Sequence, residues 1–293
     1  VGRFLTEVAR YPNCVPVAGA IEYSTGSGEP TTLALLQAYL PNQGDGWSYT
    51  LDYLERFLET QLGAGEENHG AYLLLIQALA TRTAELHRAF ATVSGDPAFD
   101  PAPLNEANVE AWKASVRKEV EDTLGLMNNE PLLEKREQLF RLIDSCQGPR
   151  GPALRIRHHG DYHLGQVLVA SNDFYIIDFE GEPSRPLEEA RRKHSPLRDV
   201  AGMLRSFSYA RWTAAKTSAL DSWEQQTRKA FLSAYDAATQ GSGLFESFDD
   251  VRGLLRLFEL EKVLYELRYE FNNRPDWLQV PLAGIMAMLE EGA

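Results

Sequence analysis

Strand-like patterning is confined to two short stretches of this 293-residue chain, and that confinement limits what it can fold into. Residues 16–23 carry Val17, Ala18, Ile21 and Tyr23, a Gly-rich turn occupies 24–30, and residues 31–39 read as the returning strand of a hairpin. The second stretch lies within 154–179, where the apolar runs 166–170 and 174–179 flank Ser171-Asn172-Asp173. Apolar periodicity predicts helices over 48–62, 72–90, 105–124, 131–146, 199–216, 221–238, 251–271 and 276–289. A small β region, helices, one polar-rich hairpin and more helices make an α+β pattern. A doubly wound parallel sheet needs strands alternating with helices, so it is excluded.

Charge narrows the partners. The chain has 29 basic and 42 acidic residues, a net charge of −13. Sequence-independent binding to nucleic acid needs basic groups against phosphate, and an anionic membrane repels such a surface. The most apolar run, 71–80, contains Gln77 and is half the roughly twenty residues that a membrane span needs. The start has no basic-then-apolar leader, so a cytoplasmic setting is expected. Two distant cysteines, Cys14 and Cys146, make neither a disulfide framework nor a metal cluster.

The densest polar cluster is Arg157-His158-His159-Gly160-Asp161-Tyr162-His163-Leu164-Gly165-Gln166, followed by Asp178-Phe179-Glu180-Gly181-Glu182-Pro183. Metal-dependent hydrolysis is one reading, but adjacent His158 and His159 point apart and no helical His pair is present. A loop that only satisfies backbone groups is a second. Phosphoryl transfer is the third. It needs a carboxylate to orient the acceptor hydroxyl, and an amide oxygen with another carboxylate to hold Mg²⁺ on nucleotide phosphates. Asp161 precedes Gln166 by five residues, and Asp178-Phe179-Glu180 follows one hairpin later, which is the kinase order. Near the C-terminus, Tyr265 and Tyr269 share a helical face with Glu266 and Glu270 in the adjacent row, and Arg274 and Trp277 follow. Aromatic faces stack on pyranose rings and charged groups meet hydroxyls, so this cluster suits a sugar. Leu264, Leu267 and Phe271 are expected in the core.

His159-Gly160-Asp161, Gln166 and Ile177-Asp178-Phe179-Glu180 resemble the aminoglycoside-phosphotransferase-like branch of the kinase fold, with Gln166 where that branch usually has Asn. The Leu164-Gly165-Gln166 variant, the 178–183 run, the 195–203 segment and the C-terminal Tyr-Glu repeat are similar to bacterial maltokinases, especially the domain fused to trehalose synthase. The resemblance implies a protein-kinase-like fold with a partial small β lobe and hinge (1–41) and a mostly helical large lobe (42–293). It implies ATP and Mg²⁺ as cofactors, and phosphorylation of maltose to maltose 1-phosphate, with trehalose synthase as a possible partner. Asp161 would be the base. His159 would support its loop, and Asp199 would cap a helix and anchor that loop. Gln166 and Asp178, with Glu180, would hold the metal. Gln37, Ala38, Tyr39 and Leu40 would face adenine. His163, Tyr265, Glu266, Tyr269, Glu270, Arg274 and Trp277 would contact sugar.

Such kinases also carry a phosphate-covering loop and a strand Lys, which no segment of this chain supplies, so the chain reads as lacking the cap and most of the small lobe. Two alternatives stay open. One is a kinase of another small substrate, such as glucosamine, an aminoglycoside or choline. The other is a non-catalytic, kinase-derived domain that binds sugar or a partner.

Overall fold

The computed structural model describes residues 1–25, 31–61, 69–127, 130–181, 186–216 and 218–290. Residues 26–30 of the expected first turn, Leu62, Glu182 and Pro183 lie outside them. Strands β1 (Val17–Tyr23) and β2 (Thr31–Gln37) form an antiparallel ribbon with Ala20 opposite Leu35 and Ile21 opposite Ala34. Helices α1 (Gly46–Gln61) and α2 (Gly70–Phe90) follow. The two-residue strand β3 (Ala102–Pro103) precedes α3 (Glu106–Met127), α4 (Glu130–Leu133) and α5 (Arg136–Ser145). Then come β4 (Leu154–Arg155), which pairs with β3, and the hairpin β5 (Val167–Ala170) and β6 (Asp173–Ile176). The chain closes with α6 (Leu187–Ala190), α7 (Leu197–Ala214), α8 (Asp221–Thr239), α9 (Phe248–Asn273) and α10 (Gln279–Glu290). The α+β expectation holds.

Helical spacing explains the packing. On α2, Tyr72, Ile76, Leu79, Thr83, Leu86, His87 and Phe90 are buried at steps of three or four and meet α8, whose Trp223, Phe231 and Tyr235 are fully enclosed. From Leu197 to Phe207 almost every α7 side chain is buried, because α1, α8 and α9 all pack against it. The 26-residue α9 joins two apolar clusters. Phe248, Val251, Leu254 and Phe258 face the larger one, with α2, α7 and α8. Leu257, Leu260, Val263, Leu264 and Leu267 face the smaller one, with α3, α5 and α10.

Three expectations are corrected. The predicted 131–146 helix is two pieces, and the turn at Glu134 and Lys135 lets both Leu132 and Leu139 reach the smaller cluster. The strand predicted to run to Phe179 ends at Ile176, because Asp178 adopts a left-handed φ of 59°. Phe271 is 37% exposed and is not core, whereas Leu264 and Leu267 are. Among the described residues, no helix is long and apolar enough to cross a membrane.

Candidate functional site

The loop carrying Asp161 is held from below. Gly160 turns with φ of 90°, which glycine adopts without steric cost. Tyr162 is buried beneath it, its hydroxyl 2.8 Å from Thr83 Oγ1 of α2. His159 is 1% exposed. Its Nε2 lies 2.8 Å from the Ile177 carbonyl, and its ring packs on Tyr162 and Phe179. The His159 ring therefore supports the loop and ties it to the strand leading to Asp178.

Asp199 was expected to cap a helix and anchor this loop. The helix begins two residues earlier, so Asp199 lies inside the first turn of α7 and does not cap it. Its carboxylate instead accepts from the amides of His159 (2.8 Å) and Gly160 (3.0 Å) and stands 3.2 Å from His87 Nε2. His87 Nδ1 is 2.8 Å from the Tyr235 hydroxyl. Burial alone would raise the Asp199 carboxyl. The hydrogen bond from His87 and the charges of His158, His87 and His159 outweigh it and hold the carboxyl well below the usual range.

The expected metal pair is together. Gln166 Nε2 donates to Asp178 Oδ2 at 3.0 Å across the hairpin. The strained backbone at Asp178 turns its side chain toward Gln166 rather than along the strand. Among the described residues, no group of three His, Cys, Asp or Glu side chains could hold a metal ion. A carboxylate with an amide oxygen is the sparse oxygen set that Mg²⁺ takes when phosphates and waters complete its shell, so the pair fits that ion. Glu180 stands exposed two residues beyond.

All seven residues expected to meet sugar line one cavity of about 410 Å³. His163 contributes from the loop, Tyr265, Glu266, Tyr269 and Glu270 from α9, and Arg274 and Trp277 from beyond its end. The aromatic rings stack in pairs, Tyr265 on Tyr269 and Trp277 on Tyr209 of α7. The carboxylates are braced. Glu266 receives two guanidinium nitrogens of Arg205 at 2.8 and 3.0 Å, with both side chains under 10% exposed. Glu270 accepts from Tyr209 at 3.0 Å and from Arg274. Removing one partner of the buried Arg205–Glu266 pair costs about 3–5 kcal/mol. Asp161 reaches the cavity wall through two of its lining residues. Its Oδ2 is 3.9 Å from His163 Nε2, and its Oδ1 is 3.5 Å from Lys262 Nζ. Burial, above all, lowers the His163 imidazole, Asp161 opposing and Lys262 adding to it. His163 Nδ1 accepts from the Gly165 amide at 3.0 Å.

Gln37, Ala38, Tyr39 and Leu40 stand apart from that cavity, at the exit of the ribbon. Tyr39 is 88% exposed. The Ala38 amide donates to the Pro16 carbonyl at 3.0 Å, and the Leu40 carbonyl accepts from Asn42 at 2.9 Å, so two of the backbone groups expected to face adenine are engaged.

Sequence reasoning missed Asp45, Trp47, Tyr209 and Lys262, which also line the cavity. Asp45 sits in a stretch that reads as linker. It bridges to Leu168 of β5, and its Oδ1 accepts from the Ser48 amide at 2.7 Å, capping α1. An Asp three residues before a helical Ser in a breaker-rich segment is a cap signal that was readable. Asp45 makes no ion pair among the described residues, unlike Glu266 and Glu270.

The Asp161 carboxylate adjoins an aromatic, acid-lined cavity, and Gln166 and Asp178 pair across the hairpin that follows its loop. The chain resembles glucosamine kinases. The one from Mycolicibacterium smegmatis (strain ATCC 700084 / mc(2)155) is 29% identical over 282 residues, covering 94% of this chain and 67% of the relative. The one from Streptacidiphilus jiangxiensis is 28% identical over 272 residues, covering 90% and 59%. A solved glucosamine kinase in complex with glucosamine, ADP and inorganic phosphate superposes with a TM-score of 0.78 at 25% identity, over 98% of this chain and 66% of that one. A second crystal form gives the same TM-score at 24% identity. No family model matches. The maltokinase expectation is thereby corrected, with maltose as acceptor, and the reason to expect a trehalose synthase partner goes with it. The chain spans 67% and 59% of the length of these two curated relatives.

Proposed function

We propose that this chain belongs to an ATP-dependent kinase whose acceptor is a small amino sugar, glucosamine. The observation that carries the reading is the single cavity of about 410 Å³ in which stacked aromatic rings and carboxylates adjoin Asp161. Tyr265, Tyr269 and Trp277 offer faces to a pyranose ring. Asp45, a carboxylate with no basic partner among the described residues, suits a substrate ammonium, which adds opposite charge to the hydrogen bond that a neutral sugar hydroxyl could give.

Asp161 accepts the proton of the acceptor hydroxyl as its oxygen bonds to the γ-phosphorus. The bond from that phosphorus to the bridging oxygen breaks, and ADP keeps the electron pair. Catalysis of this kind rests on positioning and electrostatics. Gln166 and Asp178 would hold Mg²⁺, which when bound neutralises phosphate charge. Residues 37–40, between ribbon and helical body, are the proposed adenine-facing hinge, through backbone groups other than the engaged Ala38 amide and Leu40 carbonyl.

ADP release by the full chain with ATP and Mg²⁺ tests this against glucosamine, glucose, maltose and an aminoglycoside. Glucosamine should give the highest kcat/KM, and Asp45→Asn should lower that preference over glucose at least tenfold. Equal turnover of glucose and glucosamine, unchanged by Asp45→Asn, would overturn the amino-sugar assignment.

A further inference from the structure

A buried ion pair is weak evidence for stability, because taking two charges out of water offsets much of their attraction. Arg205 of α7 and Glu266 of α9 are such a pair, with side chains 6% and 8% exposed. Glu266 lines the cavity, whereas Arg205 is not among its lining side chains. The guanidinium is fixed on several sides. Its Nε and Nη2 donate to Glu266 Oε2 at 3.0 and 2.8 Å. Its Nη1 stands 3.3 Å from Ser208 Oγ, and the Ser208 hydroxyl donates to Glu224 of α8. Helix α10 runs so close that a Cβ on Gly284 would stand 2.7 Å from Nη1 and 3.1 Å from Cζ. Glu266 Oε2 takes both close donors. Its Oε1 has one longer contact, to Arg205 Nε at 3.3 Å, and no other hydrogen-bond partner among the described residues. A carboxylate oxygen carries two lone pairs, so Oε1 keeps acceptor capacity for a hydroxyl in the cavity.

We infer that Arg205 is a positioning residue for acceptor binding: held between Gly284 and Glu266, its guanidinium turns the Glu266 carboxylate so that Oε1 meets the sugar. The inference rests on the kinase reading above, which puts the sugar in this cavity. Arg205 touches neither substrate and acts through Glu266. A planar fork with two donors on a carboxylate sets its orientation, whereas an ammonium acts as a point charge. Lysine at this position would keep the charge and lose the orientation.

Steady-state kinetics of the full chain with ATP and glucosamine, calorimetric titration of glucosamine and thermal melts test this. The variants are Arg205→Lys, Gly284→Ala, Glu266→Gln, and Glu266→Gln combined with each of the other two. Arg205→Lys should raise KM and Kd for glucosamine about tenfold, the size of one hydrogen bond to a charged group, while kcat and KM for ATP change less than about threefold. Gly284→Ala pushes on the guanidinium without altering any side chain of the cavity, and should raise the same KM and Kd. In the Glu266→Gln background neither substitution should add to the loss, because both act through that carboxylate. If Arg205→Lys fails to fold, Gly284→Ala and its double variant take its place. Unchanged KM and Kd in folded variants, a fall in melting point and kcat with KM unmoved, or additive losses in the double variants would make the pair structural only, overturning the inference and leaving the kinase reading intact. Glucosamine binding without turnover would count against the kinase reading and leave Kd to judge the role of Arg205. A wild-type chain that neither binds nor phosphorylates glucosamine overturns both.

Discussion

Asp199 governs the site without facing the cavity. Its carboxylate takes two backbone amides of the loop that carries Asp161 and the His87 ring, whose other nitrogen meets Tyr235. The arrangement fixes where Gly160 turns, and so where Asp161 points. Because the folded carboxyl is held below its unfolded value, it contributes stability above the ordinary carboxylate value of about 3.9, and that contribution is lost as pH falls below it toward the folded value. Asp199→Asn keeps the shape but removes the charge that His87 faces and one acceptor for two amides. It should cost about 3–5 kcal/mol at pH 7 and flatten the acid limb of stability below pH 4. Denaturant melts from pH 3 to 7 check this; a variant with the wild-type midpoint and acid limb would refute the anchor. The sequence pointed to Asp199 as a helix-start residue near this loop. It could not show His87, 112 residues earlier, because no local period links an α2 side chain to α7.

Close approach between elements positions the loop as much as hydrogen bonding does. Helix α7 passes beneath Tyr162 so tightly that a Cβ on Gly202 would stand 2.6 Å from the Tyr162 carbonyl oxygen. That neighbour is backbone, so it cannot swing aside. Gly202→Ala should destabilise by about 1–3 kcal/mol and, by lifting the segment next to Asp161, lower kcat more than tenfold. Equal kcat with a small loss of melting temperature would show that the loop tolerates displacement. The hairpin of β5 and β6 was legible from its apolar runs around Ser171-Asn172-Asp173, two of which adopt positive φ (54° at Ser171, 59° at Asn172). The end of β6 was not. Ile177, Asp178 and Phe179 look like strand residues; Ile177 still donates its amide to the Gln166 carbonyl at 3.0 Å, and the turn at Asp178, with the His159 ring on the Ile177 carbonyl, ends the pairing there.

At the scale of the molecule, the helical body and the ribbon are held by different physics. The body has two apolar clusters joined by α9, and its helices were legible because buried positions recur at the helical period. The cavity was legible only in part: the α9 residues, Lys262 among them one turn before Glu266, share a face, whereas Asp45 and Tyr209 come into it through the path of the chain. The ribbon was legible as strands, yet alternation did not sort its faces. Ile21, Tyr23, Leu33, Leu35 and Leu36 are 49–66% exposed, on both strands. Side chains that stay in water release little hydrophobic free energy, so these leucines hold almost none of the stability. They do put large apolar side chains in water on a chain that carries a net charge of −13. Replacing Leu33, Leu35 and Leu36 together with Thr introduces β-branched residues that suit a strand while removing those exposed leucine side chains. The triple variant should melt within about 0.5 kcal/mol of wild type, as exposed substitutions do. It should also bind less of a hydrophobic dye and show less concentration-dependent association in sedimentation. A loss of several kcal/mol would mean that these side chains are buried in solution by contacts outside the described residues, and the ribbon would then belong to the core.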